Sequence, residues 1–378
     1  MKIAFDAKRA FRNYSGLGNY SRTVISLLTK YFPENEYLLY TPKTGYRGTG
    51  FPPAESRIVT PESHLHRKLH SYWRSYHISK LLDIDRPDIY HGLSHELPRN
   101  IEKTGTASVV TIHDLIFFRF PELYKAIDRK IYTRKWQHAA RTADRIIAIS
   151  EQTQLDICNY LDVDEKKIIV IYQSADPVYE KKIGKELKIQ LRKKYSLPDN
   201  FILSLGTIEE RKNLLEILKA MHAGKTTIPL VVIGREKKKY AEKVYAYIRD
   251  NQMKNIIFLK NVPADDIPGI YQCADLFIYP SRFEGFGLPV LEAVKSGVPV
   301  IAATGSCLEE TGGPDSVYIN PYNTEEFAFQ IKRILDDSTL RENMVSRGLK
   351  FAAKFNGEKF AGELMKLYKE IQNDREGN

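Results

Sequence analysis

The sequence of 378 residues has little cysteine and no long hydrophobic run. Its three cysteines, Cys158, Cys273 and Cys307, are odd in number, far apart and without Cys-x-x-Cys spacing, which argues against a disulfide framework or a zinc knuckle. No stretch approaches the roughly 18–20 apolar residues that a membrane-spanning helix needs. Residues 1–6 predict a strand and not a leader peptide. We therefore expect a cytoplasmic protein with no integral membrane segment.

Composition and charge narrow the class of protein. Hydrophobic residues make up 43% of the chain and charged residues 28%, which is typical of a soluble globular protein and not of a disordered or fibrous one. The length predicts two domains or one large one. The net charge of +10 favours an anionic partner, whether a nucleotide, a phospholipid surface or a nucleic acid. Charge alone does not choose among these.

Short apolar strand patterns alternate with amphipathic helices along nearly the whole chain, which indicates parallel sheets covered by helices on both faces. One series of strands runs from residues 2–5 to 145–149, and a second from 201–206 to 298–302. The charged segment 180–194 interrupts the rhythm and is predicted to be a linker. We therefore predict an α/β protein with two doubly wound, Rossmann-like domains that bind ligands in the cleft between them.

The strongest local signal is PSRFEGFGLPVLEA at residues 280–293, which follows a strand and opens a helix. Gly285 and Gly287 let a ligand approach the backbone, and the N–H groups of the first helical turn favour a phosphate or sugar oxygen. Glu284 and Glu292 flank this position. Because a carboxylate beside a phosphate is unfavourable, we expect them to accept hydrogen bonds from ribose or hexose hydroxyls. A solvated loop with a glutamate favoured by the helix dipole is the alternative.

A second motif, GTIEERKNL at residues 206–214, also joins a strand end to a helix. Two adjacent cations at a helix N-terminus are unfavourable unless an anion lies between them and the helix. Arg211 can hold phosphate oxygens in a fork and Lys212 supplies a point charge, so a diphosphate would satisfy both without a metal. Two exposed surface cations are the alternative.

The N-terminal half carries weaker signals. His113 follows the apolar strand 107–112, where we expect it to face the cleft and contact a sugar, with a structural histidine as the alternative. Gly16 and Gly18 resemble half of a dinucleotide fingerprint, but Ser21 stands where the last glycine belongs, so we reject a nicotinamide site. A glycine-rich turn near a phosphate or an acceptor remains, with a simple tight turn as the alternative.

No metal site is predicted. Two Asp-x-Asp sequences, at residues 83–85 and 162–164, are interpreted as solvated turn acids. The clustered His64, His66 and His70 have no matching carboxylate or cysteine ligands.

Together these motifs resemble those of glycosyltransferase family 4, a group of GT-B enzymes that transfer a sugar from a nucleotide-sugar donor with retention. The glycine loop, the His-Asp strand end, the Arg-Lys-Asn helix start and the Glu-x7-Glu motif follow the family order over essentially the full chain. The resemblance implies a donor diphosphate on Arg211 and Lys212, ribose hydroxyls on Glu292, and the transferred sugar on Glu284, the amides of residues 285–288 and His113. The predicted catalytic residues are His113, Glu284, Arg211 and Lys212. The predicted donor-binding residues are Gly16, Gly18, Arg211, Lys212, Glu284, Gly285, Phe286, Gly287, Leu288 and Glu292.

The resemblance also implies domains and a substrate class. Residues 1–178 would bind the acceptor, with a C-terminal helix at 357–378 packing back onto them, and residues 179–356 would bind the donor. Two segments depart from the family pattern, YQSAD at 172–176 and GSCLEE at 305–310. The first glycine loop is most similar to that of mannosyltransferase-like members that build surface polysaccharides, which points to GDP-mannose.

We therefore predict a retaining hexosyltransferase that needs no metal or cofactor and acts on a saccharide or lipid-linked saccharide acceptor. The alternatives are a UDP-glucose or UDP-GlcNAc transferase, or a sugar synthase or phosphorylase, of the same fold. Outside that class a nucleic-acid-binding protein or an inactive scaffold remains, although no RRM, KH or helix-turn-helix signature is present.

Residues 64–82 are basic, aromatic and amphipathic, and residues 119–145 add further cations. Such segments predict peripheral attachment to the anionic cytoplasmic leaflet, with ordinary domain helices as the alternative.

Overall fold

A computed structural model describes residues 1–46, 48 and 50–376 of the chain. The chain divides into two compact units: unit 1 is residues 1–174 with 357–378, and unit 2 is residues 175–356. The sequence placed these boundaries after residues 178 and 356. Residues 377 and 378 of the predicted C-terminal segment lie outside the described residues.

Unit 1 is built on a seven-stranded parallel sheet with the order β3-β2-β1-β4-β5-β6-β7. Its central strands carry apolar side chains on both faces and are fully buried, because helices cover the sheet on both sides. The strands are β1 (Lys2–Asp6), β2 (Glu36–Tyr40), β3 (Ser56–Val59), β4 (Ile89–Gly92), β5 (Ala107–Ile112), β6 (Arg145–Ala148) and β7 (Ile168–Val170).

The helices of unit 1 correct two expectations. The segment Ser15–Gly18, predicted as a loop, is the cap and first turn of α2. The amphipathic segment 64–82 is not one helix, because it is divided into α3, α4, a π-helical turn (Trp73–His77) and α5. The α-helices are α1 (Lys8–Arg12), α2 (Gly16–Tyr31), α3 (His64–Lys68), α4 (His70–Tyr72), α5 (Ile78–Asp85), α6 (Ile116–Arg119), α7 (Ala126–Thr142) and α8 (Glu151–Leu161). The short 3-10 turns are Ile101–Lys103, Pro121–Leu123 and Glu165–Lys167.

The C-terminal helix (Gly357–Glu376) also belongs to unit 1, where it packs on α2. Tyr368 lies fully buried, and its hydroxyl is 2.6 Å from Nδ1 of His91 on β4. The other ring nitrogen of His91 is 2.7 Å from Oγ1 of Thr111 on β5. This chain of buried polar groups fixes the helix against the middle of the sheet, since a displaced helix would leave the Tyr368 hydroxyl and Nδ1 of His91 without their bond to each other.

Unit 2 contains a six-stranded parallel sheet with the order β10-β9-β8-β11-β12-β13. The strands are β8 (Ile202–Leu205), β9 (Leu230–Ile233), β10 (Ile256–Leu259), β11 (Leu276–Tyr279), β12 (Val300–Ala303) and β13 (Val317–Ile319). The helices are α9 (Lys185–Tyr195), α10 (Leu214–Ala223), α11 (Lys238–Asp250), α12 (Ile267–Tyr271), α13 (Leu288–Lys295), α14 (Leu308–Gly312), α15 (Thr324–Asp336) and α16 (Ser338–Ala352). The 3-10 turns are Pro177–Tyr179, Glu210–Lys212 and Ala264–Asp266.

The linker prediction for residues 180–194 is wrong. Residues 185–195 form α9 inside unit 2, where Leu191 is buried and Lys188 donates a hydrogen bond to the carbonyl of Gln272. This helix has a narrow apolar face and many cations, so its composition resembles that of a linker. For that reason its packing could not be recognised from the sequence.

Position 18 requires glycine, because the backbone of Asn13 lies too close to leave room for a side chain. A Cβ at this position would lie 1.8 Å from the carbonyl oxygen of Asn13, whereas a Cβ at Gly16 would meet nothing within 4 Å.

We expect Gly18→Ala to lower the free energy of unfolding of unit 1 by about 1–3 kcal/mol, because the loop before α2 must move. Gly16→Ala is the matched control and should leave stability nearly unchanged. Thermal and urea unfolding of both variants measures this, and equal stability of the two would contradict the packing argument.

Candidate active site

Two loops meet at one edge of the unit 2 sheet. β8 and β11 are neighbouring parallel strands, so the segments that follow them, 206–213 and 280–287, lie side by side at the carboxyl edge. The amide of Arg282 donates to the carbonyl of Arg211 at 2.9 Å and joins the two loops. The carboxyl edge is where doubly wound sheets bind ligands.

Glu284 is the centre of this cluster. Its Oε1 accepts hydrogen bonds from Arg211 Nη1 at 2.7 Å, Lys212 Nζ at 2.5 Å and Ser281 Oγ at 2.5 Å. The hydroxyl of Tyr279 lies 3.2 Å from the same oxygen. No hydrogen bond from the described residues reaches Oε2 of Glu284. The carboxylate therefore holds both cations with one oxygen and keeps the other available to a hydroxyl donor.

The charges of the cluster control its protonation. Burial raises the pKa of Glu284, but the charges of Lys212 and Arg211 outweigh burial and lower this pKa to about 2. Burial lowers the pKa of Lys212, and the Glu284 carboxylate opposes that effect only in part. Burial also acts to lower the pKa of Arg211, but Glu284 raises it above its ordinary value. Glu284 is consequently an anion at neutral pH, acting as an acceptor and not as a proton donor.

Two further groups complete the cluster and were not assigned from the sequence. Glu209 bonds Arg211 Nη2 at 3.1 Å through one oxygen and Lys237 Nζ at 2.6 Å through the other. Tyr279, at the end of β11, accepts a hydrogen bond from Lys212 and lies beneath its ammonium, which is 4.8 Å from the ring centroid. Glu209 lies inside the motif 206–214 without an assigned role, and Tyr279 directly precedes the motif 280–293, so it is the pairing of β8 with β11 that shows their part in the cluster.

The start of α13 is shaped by Gly287. This residue has φ +90°, and a Cβ there would lie 2.4 Å from Cδ2 of Leu308. Only glycine combines that backbone conformation with that contact. Leu288 begins the helix, so the backbone dipoles of its first turn point at the loop. The side chain of Phe286 is buried against Phe355, with ring centroids 6.0 Å apart, so this residue can offer only its backbone to a ligand.

Glu292 lies about one turn into α13, in a separate environment. Its Oε2 accepts a hydrogen bond from the Tyr271 hydroxyl at 3.4 Å, and Tyr179 also bonds its carboxyl group. Burial raises the pKa of Glu292 to about 8, against the smaller effect of the two tyrosines. The side chain remains partly exposed. At neutral pH this glutamate is therefore mainly a neutral acid, able both to donate and to accept a hydrogen bond.

His113 lies in unit 1 at the carboxyl end of β5 and is buried. Its Nε2 lies 2.9 Å from the carbonyl oxygen of Leu93, and the Tyr20 ring meets its edge with centroids 4.5 Å apart. Burial lowers the pKa of His113 to about 4, so the ring is neutral at pH 7. With Nε2 donating to the carbonyl, Nδ1 is left as an acceptor. A contact between His113 and a sugar stays a prediction.

The structure brings together only part of the predicted set. Arg211, Lys212, Glu284 and the start of α13 form one cluster in unit 2, and Glu292 lies on the same helix with its own tyrosine partners. Gly16 and Gly18 lie in unit 1, in the first turn of α2. Gly18 has the packing role described above, and donor binding by Gly16 and Gly18 stays a prediction.

The described residues form neither a metal cluster nor a membrane-spanning helix. They contain no group of three or more histidine, cysteine, aspartate or glutamate side chains placed to hold a metal ion. They also contain no helix that is both long and apolar enough to cross a bilayer.

Comparison with known families decides the class of protein. The family model for group 1 glycosyl transferases matches residues 188–351, and that for glycosyltransferase family 4 matches residues 23–178. The chain belongs to the family 4, group 1 glycosyltransferases. The class predicted from the sequence is thereby confirmed, and the protein is a glycosyltransferase.

Curated relatives of this glycosyltransferase include two proteins of Escherichia coli. The chain is 29% identical over 288 residues to O-antigen chain mannosyltransferase B, covering 74% of each chain. It is 27% identical over 275 residues to the serotype-specific mannosyltransferase WbdA, covering 70% of this chain and 34% of that longer protein.

Solved structures confirm the GT-B fold of this glycosyltransferase. Sucrose-phosphate synthase from Thermosynechococcus elongatus superposes with a TM-score of 0.78 at 17% identity, covering 98% of this chain and 99% of that one. HepE from Anabaena, solved with UDP and glucose, gives a TM-score of 0.73 at 17% identity over 97% and 99% of the two chains.

The raised pKa of Glu292 predicts a pH dependence of stability. Between its ordinary pKa of 4.5 and the folded value of about 8, the folded carboxyl keeps a proton that the unfolded one has lost. The free energy of unfolding of unit 2 should therefore fall as pH rises through this window, by roughly 1 kcal/mol per pH unit. Urea unfolding of wild type and Glu292→Gln across the window measures the effect.

The Glu292→Gln variant should remove this slope, whereas Glu242→Gln, at an exposed position of α11, should retain it. Parallel pH profiles for wild type and Glu292→Gln would show that the carboxyl titrates normally.

Proposed function

We propose that this glycosyltransferase transfers a mannosyl residue from GDP-mannose, with retention of configuration, to a saccharide or lipid-linked saccharide acceptor in surface polysaccharide biosynthesis. The two mannosyltransferase relatives and their O-antigen and serotype names support the sugar and the pathway class. The HepE structure contains UDP, so a uridine donor is the competing choice within the same fold.

The observation that carries the proposal is the arrangement of Arg211 and Lys212 around Glu284. Of the five N–H donors of the Arg211 guanidinium, the described residues accept from three: one goes to the Phe283 carbonyl, one to Glu284 and one to Glu209. The remaining N–H groups of Arg211, the ammonium of Lys212 and the backbone N–H of Leu288 at the start of α13 supply donors for the two phosphates of a nucleoside diphosphate.

The donor phosphates take part in the chemistry of this proposal. The acceptor hydroxyl loses its proton to the donor phosphate as the sugar–phosphate bond breaks, and the hydroxyl oxygen forms the new bond on the same face of the sugar. The departing diphosphate gains negative charge, which Arg211, Lys212 and the α13 dipole stabilise. No protein nucleophile and no metal is needed for these steps.

The two glutamates take different parts. Glu284 Oε2, an anionic acceptor with no bond from the described residues, suits a hydroxyl of the transferred sugar. Glu292, as a neutral acid held by Tyr271 and Tyr179, can accept from one ribose hydroxyl and donate to the other.

A ligand panel tests the donor. Thermal unfolding is measured with GDP-mannose, UDP-glucose, UDP-GlcNAc, GDP and UDP, each with and without EDTA. We expect GDP-mannose to raise the Tm selectively and the shift to survive EDTA, since a ligand at about 100 times its Kd stabilises the folded state by about 2.7 kcal/mol. A selective shift by a uridine sugar would overturn the assigned base. A shift that EDTA abolishes would overturn the metal-free site.

Matched lysine variants complete this test. Lys212→Met should abolish the shifts by both nucleoside diphosphates and lower transfer by about 100-fold or more, as the loss of a charge that stabilises a leaving group does. Lys219→Met, at a partly exposed lysine of α10 paired with Glu216, should change neither. Arg211→Ala should also lower transfer, but it and Lys212→Met each take a buried partner from Glu284, so the unfolding of each unliganded variant is measured as well.

We further propose that unit 1 attaches peripherally to an anionic membrane surface. On α7, Ile127, Lys130, Ile131 and Arg134 share one face and are all exposed. The segment 64–76 exposes Leu65, Leu69, Tyr72 and Tyr76 beside the exposed cations Arg67 and Lys68. Arg74 does not contribute to this surface, because it is buried in an ion pair with Asp6 at 2.5 Å. Apolar side chains among cations are typical of a surface that enters the headgroup layer.

Vesicle flotation tests the attachment. Wild type should float with vesicles containing phosphatidylglycerol and not with pure phosphatidylcholine, and about 1 kcal/mol per cation should be lost in the double variant Lys130→Glu/Arg134→Glu. Lys350→Glu, at an exposed position of α16 in unit 2, is the control. Equal flotation with neutral and anionic vesicles would exclude the electrostatic attachment.

A further inference from the structure

A groove of about 440 Å³ opens on unit 1, beside the segment that leads into α2. It is lined by Phe11, Arg12, Tyr14 and Gly45. These residues follow β1 and β2, which are neighbouring parallel strands, so the groove lies at the carboxyl edge of the sheet. This is the edge at which a doubly wound sheet binds its ligands.

The exposed part of the groove is the ring of Tyr14, which is supported by the residues packed behind it. Tyr14 is 56% exposed, and its ring stacks on Tyr46 with centroids 5.4 Å apart and planes 23° apart. The guanidinium of Arg22 lies over the Tyr46 ring, 4.3 Å from its centroid. Beneath them the buried Phe11 packs on Phe51 at 5.1 Å. The Tyr14 ring is therefore held in one orientation although much of its surface is in water.

Arg22 also fixes the backbone on both sides of Arg12. Its Nη1 donates to the carbonyls of Ala10 and Asn13, each at 2.8 Å. The side chain of Arg12 is exposed and makes no hydrogen bond or ion pair with any described residue. The rim of the groove thus offers a fork of N–H donors next to a supported aromatic ring.

We propose that this groove binds one pyranose residue of the acceptor saccharide. The C–H groups on one face of a pyranose carry partial positive charge and match the negative face of the Tyr14 ring. The sugar hydroxyls accept hydrogen bonds from Arg12. An open groove with one stacking ring and few polar groups fits a neutral, well-hydrated ligand. The inference rests on the proposed function in taking the acceptor to be a saccharide.

The position of the groove makes it a distal subsite. In the sheet, β1 and β2 are separated from β5 by β4, and His113 follows β5. With neighbouring strands about 4.8 Å apart, the ends of β1 and β2 lie about 10–14 Å from the end of β5. The end of β5 is therefore farther from the ends of β1 and β2 than the length of one sugar ring. With transfer taking place beside His113, the groove holds a sugar that is not the one receiving the new bond.

A length series of acceptors tests the subsite. The rate of transfer is measured with mannose oligosaccharides from the monosaccharide to the hexasaccharide. We expect Tyr14→Ala to raise the KM of the longer acceptors by about 10-fold, as the loss of one stacked ring does, and to leave the shortest acceptors and the donor KM unchanged. Tyr14→Phe should restore the wild-type KM, because stacking needs the ring and not the hydroxyl.

A binding measurement separates this inference from the proposed function. Saturation-transfer NMR of the unliganded protein with mannose and glucose oligosaccharides needs no donor or turnover. Contacts that reach the wild type and Tyr14→Phe but not Tyr14→Ala support the subsite even if the donor assignment fails. Tyr245→Ala, which removes a partly exposed tyrosine of α11 in unit 2, is the control. Absence of oligosaccharide contacts in the wild type, or equal contacts in Tyr14→Ala, overturns the inference, as does a KM increase that is the same for every acceptor length.

Discussion

The buried carboxylate of Glu284 is the group on which the arrangement of the unit 2 loops depends. Two cations from the loop after β8 and a glutamate from the loop after β11 would each be costly to bury alone. Their mutual bonds make the burial possible, and they fix both loops before any ligand arrives. Arg211 and Lys212 are therefore desolvated and oriented when the chain folds, and not when a substrate binds. Preorganised charge of this kind is the form in which a protein stabilises a developing anion most effectively.

The same cluster explains a feature that the sequence left unresolved. Two cations beside the N-terminus of α10 are unfavourable without a nearby anion, and the sequence pattern predicts a diphosphate in that position. In the folded chain Glu284 already provides that negative charge. A nucleoside diphosphate would therefore share the cations with a resident carboxylate. Its binding would be governed by the donors that remain on Arg211 and Lys212, together with the α13 backbone.

How much of the fold could be predicted depended on burial. Strand β5 was predicted to the residue, because it is a fully buried and largely apolar run. β3 was missed, since SRIV at the edge of the sheet is half-exposed and has no such run. Ser15–Gly18 was assigned to a loop because glycine is unfavourable in helix interiors. In the structure Gly16 and Gly18 lie in the first turn of α2, and the missing side chain of Gly18 leaves room for the carbonyl of Asn13.

Only some of the candidate site residues could be predicted from the sequence. Arg211, Lys212, Glu284 and Glu292 could be chosen because each lies in a spaced motif at a strand end. Their partners Tyr279, Tyr271 and Tyr179 lie outside those motifs. Glu209 lies inside one, but nothing in its spacing distinguishes it from Glu210, so the fold was needed to show these contacts. The position of His113 at the end of β5 was predictable, but its bond to the Leu93 carbonyl was not, because that contact depends on the path of the chain after β4.

The C-terminal helix has a consequence for the order in which the protein is made. Unit 2 is continuous in sequence, whereas unit 1 leaves off at residue 174 and resumes at residue 357. The partner of His91 in the core of unit 1 is Tyr368, 277 positions later. On the ribosome, unit 2 can close its sheet as soon as it has emerged. His91 lacks its Tyr368 partner until residues 357–376 are synthesised, so unit 1, which starts before unit 2, is completed only after it.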